Sequence, residues 1–347
     1  MELEVTRNST NEAVQKGKNY KAISYNIGFG AYSQDFTFFM DDGYDDEGNV
    51  TCGTSGKAKS YADVDFNTNG AINTVFDEKP DFVMFQEVDT NSTRSYSVNQ
   101  YERIQNKWAA SDTVFCKNFH SAFIPLPIYD MMGTANSGLA TVSKYQIQKA
   151  QRVEYTISDS FSTYFDLDRC FTYNIVNIEG SEKQLYIVNS HMSAYDEGGV
   201  IKTQQALEFN NFLNERKVNG DYVIVGGDWN HDLLTYNPDF QYTIENRPYG
   251  VTKRAPNWLG SYFDKDGKSP LIEGFNVVAS DNVPSCRNND ITYQPGNTFV
   301  CTVDGFIVSD NIEVVSHRTI QTKSGKLGID GFAFSDHDPT EVEFKLL

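Results

Sequence analysis

Asp228 and Asn230 stand two apart, directly after the apolar and glycine stretch Tyr222–Gly227. Residues two apart in an extended chain project to the same side. A carboxylate and a carboxamide held that way suit a hard cation, or a phosphoryl oxygen beside one. An Asx turn after a strand would give the same residues and no chemistry. The pattern recurs, however. Asn26, Glu87 and His191 each stand at or near the end of an apolar stretch, and Asp304 stands at the start of one. Asp336 and His337 lie together in the loop before the last apolar stretch. A lone histidine or glutamate at such a place is more often a solvated residue. Six of these positions in one chain point to a shared crevice, because open α/β sheets bind ligands beyond their strand ends.

The elements that must position these residues are legible as short buried strands and a few helices. Tyr222–Gly226 is a continuous apolar run with three β-branched residues, as a buried strand needs. Tyr20–Phe29 alternates and carries Asn26. Asp81–Glu87 delivers Gln86 and Glu87 at its end. Cys170–Ile178 and Gln184–Ser190 form a hairpin about Glu179-Gly180, and the second strand runs into His191. Gly138–Ser143, Gln148–Tyr155, Val303–Ser309, Ile312–Ser316 and Glu341–Leu346 are further strands, and Phe123–Pro127 is extended. Ile201–Val218 has helical spacing at Ala206, Phe209 and Leu213, and Ala71–Asp77 and Asn99–Ala110 are shorter helices. Tyr129–Ser137 reads as a loop. A hairpin turning at Asp266-Gly267 is expected in the irregular stretch 231–270. Residues 1–19 form a polar, loosely held lead-in, and 20–347 form a single catalytic domain with no linker or internal repeat.

Composition sets limits on partners. Hydrophobic residues make up 39% of the 347 residues and aromatics 14%, so a sizeable core rich in Phe and Tyr is expected. The net charge of −18 opposes non-specific attraction to polyanions. It leaves a phosphate substrate open, since divalent cations invert the local field. The five cysteines are scattered without a CxxC pair, which argues against structural zinc and leaves none, one or two disulfides. No apolar run is long enough to span a membrane. The chain as given reads as soluble; an exported or surface-anchored form would follow if an upstream signal had been removed. The acidic loop Asp41–Asn49 does not fit an EF-hand and reads as solvated. Phe36, Phe38 and Phe39 beside it are either tucked beneath it or part of a substrate rim.

The motifs SYNIG, PDFVMFQEVD, SGLATVSKYQI, IVNSHMSAYD, VIVGGDWN, VDGFIVS and SDHDP, in this order, resemble those of the endonuclease/exonuclease/phosphatase superfamily. The likeness runs from about Lys21 to the C-terminus and tilts toward its deoxyribonuclease-like and sphingomyelinase-like branch. It implies a deoxyribonuclease-like α/β fold: a four-layer α/β sandwich, two mixed β-sheets packed face to face with helices outside. It also implies roles. Glu87, with Asn26 and Asp336, would serve the metal, expected to be Mg2+ with Mn2+ or Ca2+ as alternatives. Asp228 and Asn230 would orient the attacking water and a phosphoryl oxygen. His337 would be general base or transition-state stabiliser, its tautomer fixed by Asp304. His191 stands where apurinic-site endonucleases carry an asparagine, which points away from that branch. Those enzymes also carry an aspartate two residues after the first-strand asparagine; here that residue is Gly28, so the ligand is missing. Tyr195 and Asp196 follow the His191 motif and would read substrate or cap the loop.

The expected function is divalent-metal-dependent hydrolysis of a phosphate ester by a monomer, most simply a phosphodiester in nucleic acid or a phospholipid head group. Nucleic acid would want a basic cleft rim, in which the chain is poor. A phospholipid would want exposed apolar loops for peripheral membrane contact, and Phe36–Met40 and Met131–Met132 are candidates. An inositol phosphate monoester, which would want a basic cluster near the metal, is the alternative, as is a catalytically silent binding module on the same fold.

Overall fold

The computed structural model describes residues 1–157, 169–193, 200–236, 243–244, 246–250, 253–259, 271–325 and 328–347. Two large mixed sheets pack face to face. From edge to edge the first runs Val5–Thr6, Asp112–Ile124, Gly133–Ser143, Phe82–Asp89, Asn19–Asn26, Thr340–Leu346 and Ile312–Thr319. The second runs Phe275–Val278, Asp304–Ser309, Tyr222–Asp228, Gln184–His191, Cys170–Ile178 and Ala13–Val14, with Ile147–Glu154 also paired to Cys170–Ile178. Ala22, Phe82, Met84, Val342 and Phe344 of the first sheet meet Val176, Leu185, Ile187, Ile224 and Phe306 of the second in one buried cluster. The approach is close. A Cβ on Gly226 would lie 2.8 Å from Met84 Sδ across the interface and 3.0 Å from Phe306, so a larger residue there would have to displace the methionine.

Helices cover the outer faces. Val200–Asn219 lays Ala206, Phe209 and Leu213 against Val223, Val225 and Trp229 of the second sheet. Tyr61–Asp77 and Gln100–Lys107 cover the first sheet through Ala71, Ile72, Val75 and Ile104. The first of these starts ten residues earlier than its apolar spacing predicts. Ser60 caps it by accepting from Asp63 N. In its N-terminal half Val64 is buried among Phe29, Tyr32 and Phe36, but the adjoining buried positions are Asn67 and Thr68, with Asn67 donating to Gly30 O at 3.0 Å, so the apolar stripe is broken there.

Three expectations are corrected. Residues 1–19 are not a loose lead-in: Val5 pairs with Val114 in the first sheet and Ala13 with Asn177 in the second. Tyr129–Ser137 is not wholly loop, because the strand paired with Asp112–Ile124 begins at Gly133. Phe36–Met40 is not an exposed apolar loop: Phe36 and Phe38 are buried in a cluster with Phe29 and Tyr32, Phe39 and Met40 pack on it, and Phe38 and Met40 line the pocket from within. The turn at Asp266-Gly267 and the residues Tyr195 and Asp196 lie outside the described residues. Among the described residues no helix is long and apolar enough to cross a membrane.

Candidate active site

Strand register assembles one half of the site. His191 pairs with Asp228, and Asp228 pairs with Asp304, on three adjacent strands of the second sheet. The three side chains therefore stand in one row at the strand ends. The first sheet supplies the other half. Asn26 ends one of its strands, and Glu87 sits in a bulge of the next, where pairing slips between Phe85 and Val88. Glu87 has φ 54°, a backbone state uncommon outside glycine. The bulge splits neighbouring side chains between two tasks. Gln86 turns to the facing sheet and donates to Asn189 Oδ1 at 2.8 Å, while Glu87 turns to the pocket. Asn189 in turn donates to the carbonyls of Phe85 and Ala140. This buried amide link fastens the two sheets directly beneath the site.

Asn26 ties the halves together. Its Nδ2 lies 2.8 Å from Asp228 Oδ2 and 3.3 Å from Glu87 Oε1. Its Oδ1 accepts from Gly28 N at 2.9 Å, which fixes the amide orientation. Asn26, expected at the metal, thus stands between the two carboxylates, with one lone pair of its oxygen used by Gly28 N. Gly28 itself has φ 50°, and a Cβ there would meet Tyr32 at 2.5 Å and Asp336 Oδ1 at 3.0 Å. An aspartate would not fit at that position, and the carboxylate that fills the space is Asp336.

The His337–Asp304 pair is set by a chain of donors. Backbone N–H groups of Val303 and Asp304 both donate to Ser285 Oγ. Ser285 must then direct its own proton to Asp304 Oδ2, 2.7 Å away. That oxygen accepts from His337 Nδ1 as well, at 2.7 Å, so Nδ1 carries a proton and Nε2 faces the pocket, 3.7 Å from Asp228 Oδ2. Burial opposes charge on His337, but Asp304, Asp228 and Asp336 together outweigh it and hold its pKa well above 6.5. His191 is the opposite case. Burial, aided by Arg169, His337 and Arg94, holds its pKa well below 6.5. Asn118 Nδ2 meets its Nδ1 at 3.3 Å. An amide nitrogen only donates, so the ring proton sits on Nε2, 3.5 Å from Asp228 Oδ2.

Asp228 is buried, and that burial pushes its carboxyl up to about 6 against the pull of His337. It accepts from Asn230 N at 2.8 Å through Oδ1, while Asn230 donates its side-chain amide to Met192 O. Glu87 is also raised by desolvation, with Asp336 adding to it. Asp336 is held by Asn289 Nδ2 at 2.8 Å, and the same nitrogen meets Asp41 Oδ2 at 3.0 Å. Asp41, Glu87, Asp228 and Asp336 thus line one pocket together with both histidines. A crowd of desolvated carboxylate oxygens fits a hard divalent cation. Asp228, Asp304 and His337 also bring ligand atoms within 4.8 Å of one another. Asp304 Oδ2 is taken by Ser285 and His337, but its buried Oδ1 has no partner; Glu87 and Asp336 line the same pocket as Asp228.

All eight expected residues meet at this one place. Sequence reasoning missed Ser285, Asn118, Asn289, Arg94, Arg169 and Arg287. The three arginines line the pocket, although none lies within a motif. Arg94 is bound to both oxygens of Asp89 and stacks on Phe29 at 3.8 Å. Only Arg169 carried a signal, standing at the mouth of a predicted strand.

The profile of the Endonuclease/Exonuclease/phosphatase family matches residues 23–337. A search of curated proteins by sequence finds no match. Among solved structures, TDP2 from D. rerio, complexed with a single-strand DNA product, superposes with a TM-score of 0.56 at 12% identity, covering 94% of this chain and 99% of that one. A family protein from Bacteroides vulgatus gives 0.54 at 14% identity, covering 95% and 100%. One from Beutenbergia cavernae gives 0.55 at 14% identity, covering 95% and 72%. At these identities the structures speak for the fold, and the matched profile speaks for the family. The chain belongs to the endonuclease/exonuclease/phosphatase family, whose members hydrolyse phosphoric esters with divalent metals.

Proposed function

We propose that the protein is a Mg2+-dependent phosphodiesterase acting on phospholipid head groups at a lipid surface. The chemistry rests on the row His191–Asp228–Asp304 facing Glu87 and His337. Glu87, Asp228 and Asp336 would hold the cation, which when bound draws charge off the phosphoryl oxygens. Asp228, ionised above about pH 6, and Asn230 orient the attacking water. His337, protonated at neutral pH and braced by Asp304, faces the pocket with Nε2. His191 offers a neutral Nε2–H there. Two N–H groups aimed at oxygens that gain charge lower the barrier by electrostatic stabilisation. In this reading His337 acts as a stabiliser and proton donor.

The observation that favours a lipid is a cluster beside the pocket. Phe123, Ile128, Tyr129 and Met131 are 57%, 77%, 75% and 39% exposed. They lie at the tip end of the hairpin Asp112–Ser143, next to Phe119 and Met132, which line the pocket. An apolar tip next to a phosphate-ester site suits insertion into an interface. The net charge of −18 favours a zwitterionic surface over an anionic one and disfavours a polyanionic substrate.

The test is hydrolysis of a soluble bis-aryl phosphodiester, its monoester counterpart, phosphatidylcholine or sphingomyelin vesicles, and single-stranded DNA, each with Mg2+ and with chelator. Chelator-sensitive cleavage of diester and vesicles, lost in His337→Ala, supports the reading. Monoester cleavage alone would move it to the phosphatase branch. DNA cleavage without vesicle cleavage would replace lipid by nucleic acid.

A further inference from the structure

We propose that four of the five cysteines form two disulfides that brace the active site, Cys116–Cys170 and Cys286–Cys301, and that Cys52 remains free. The pairs are scattered in sequence and brought together only by the fold. Cys116 lies on a strand of the first sheet and Cys170 on a strand of the second. Their Sγ atoms are 3.8 Å apart, in contact, and both residues are buried. Bonding closes that gap to about 2 Å, within reach of small side-chain rotations. Cys286 and Cys301 face each other in register in a short antiparallel pair, and both are buried. Facing Cα atoms in such a pair lie about 4.5–5.5 Å apart, inside the roughly 4.4–6.8 Å range that a disulfide spans. Cys52 is exposed.

Metal binding does not explain the pairs as well. Structural zinc takes four ligands. The charged neighbours that act on Cys170 are Arg152 and Arg169, and cations beside two thiols oppose a third cation.

The placement gives the bridges a task. Cys116 is two residues before Asn118, the partner of His191. Cys170 follows Arg169, which lines the pocket. Cys286 makes a backbone bridge with His337, and its Sγ lies 3.7 Å from His337 Nε2. Cys301 leads into Val303 and Asp304. One bridge would lock sheet to sheet under His191, and the other would lock the two segments that hold His337 and Asp304. Each bond forms with loss of two protons and two electrons from a thiol pair. A small-molecule disulfide accepts both and leaves as two thiols. Such bridges persist in oxidising compartments, so the chain is suited to work outside a reducing cytosol.

The experiment is refolding of the full chain from denaturant in a mixture of glutathione and glutathione disulfide. Remaining thiols are then alkylated after denaturation, and the digest is mapped by mass without reductant. The expected result is two linked peptide pairs, Cys116 with Cys170 and Cys286 with Cys301, with Cys52 alkylated or joined to glutathione. The oxidised protein should melt higher than the reduced one by on the order of 5 °C. The double variant Cys116→Ser with Cys170→Ser should keep the second linked pair and lose part of that difference. Folded protein with all four buried thiols alkylated, or with linkages outside these two pairs, overturns the proposal. It does so whatever the enzyme's substrate proves to be.

Discussion

Replacing Asp304 by Asn tests the His337 arrangement with little change of shape. Asp304 Oδ2 accepts from both His337 Nδ1 and Ser285 Oγ at 2.7 Å, and an asparagine oxygen fills the same place without the charge. A hydrogen bond to a charged group contributes about 1.5–3 kcal/mol, and each 1.4 kcal/mol is about tenfold in rate. The variant should therefore lose roughly 10- to 100-fold in kcat/KM at pH 8. The pH dependence carries the sharper information. Asp304 is the largest of the charges that hold the His337 pKa well above 6.5. Without it the pKa falls toward its ordinary value, and the imidazolium is depleted at pH 8 but largely retained at pH 6. The defect relative to the native enzyme should thus shrink as pH falls. The assay is Mg2+-dependent release of aryl alcohol from the soluble diester, with melting curves to show that the fold is kept. A ratio within twofold of unity at both pH values, or a defect that grows toward pH 6, would refute the assignment of His337 as a cationic stabiliser.

Other consequences follow from the same geometry. Glu87→Gln should lower diester turnover by about 10²-fold or more and abolish the rise in melting temperature that Mg2+ gives, read by calorimetry with and without the ion. The Asp228 carboxyl is raised from 3.8 to about 6 by burial, so its contribution to metal-free stability is full below pH 3.8 and lost as pH rises through 6. That loss is about 3 kcal/mol at 1.4 kcal/mol per pH unit. Metal-free protein should accordingly gain stability as pH falls from 7 toward 5, and Mg2+ should raise the melting temperature more at pH 7 than at pH 5. Ile128→Glu with Tyr129→Glu should leave soluble diester turnover within twofold while reducing sedimentation with phosphatidylcholine vesicles severalfold. Unchanged sedimentation would remove the lipid-surface role of that hairpin.

The catalytic elements were legible because they are short apolar runs ending in polar residues. Tyr222–Asp228, Gln184–His191 and Phe82–Asp89 each obey that rule. The helix Tyr61–Asp77 escaped in its first half because Asn67 and Thr68 interrupt its buried face between Val64 and Ala71, a break that apolar periodicity does not register. The strand Asp112–Ile124 escaped because Lys117, Asn118 and His120 interrupt it. Asn118 turns inward to His191, so the interruption was itself functional. Ser285 and Asn289 had no local signal at all. They matter only through what the fold sets beside them, and a serine or asparagine in a loop is the commonest of residues. Asn26 shows a different limit. The resemblance places it near the metal, and the orientation of its amide is visible only through the Gly28 N–H.

The strand Thr340–Leu346 lies in the interior of its sheet, between Asn19–Asn26 and Ile312–Thr319. His337 comes three residues before it. A ribosome therefore releases the partner of Asn19–Asn26 only after some three hundred intervening residues have been made. Until then the early strand has one open edge, and the nascent chain holds Glu87, His191 and Asp228 without the imidazolium that completes them. Hydrolysis must therefore wait for Thr340–Leu346 to pair, and a message truncated before that strand leaves an exposed sheet edge and a site without His337.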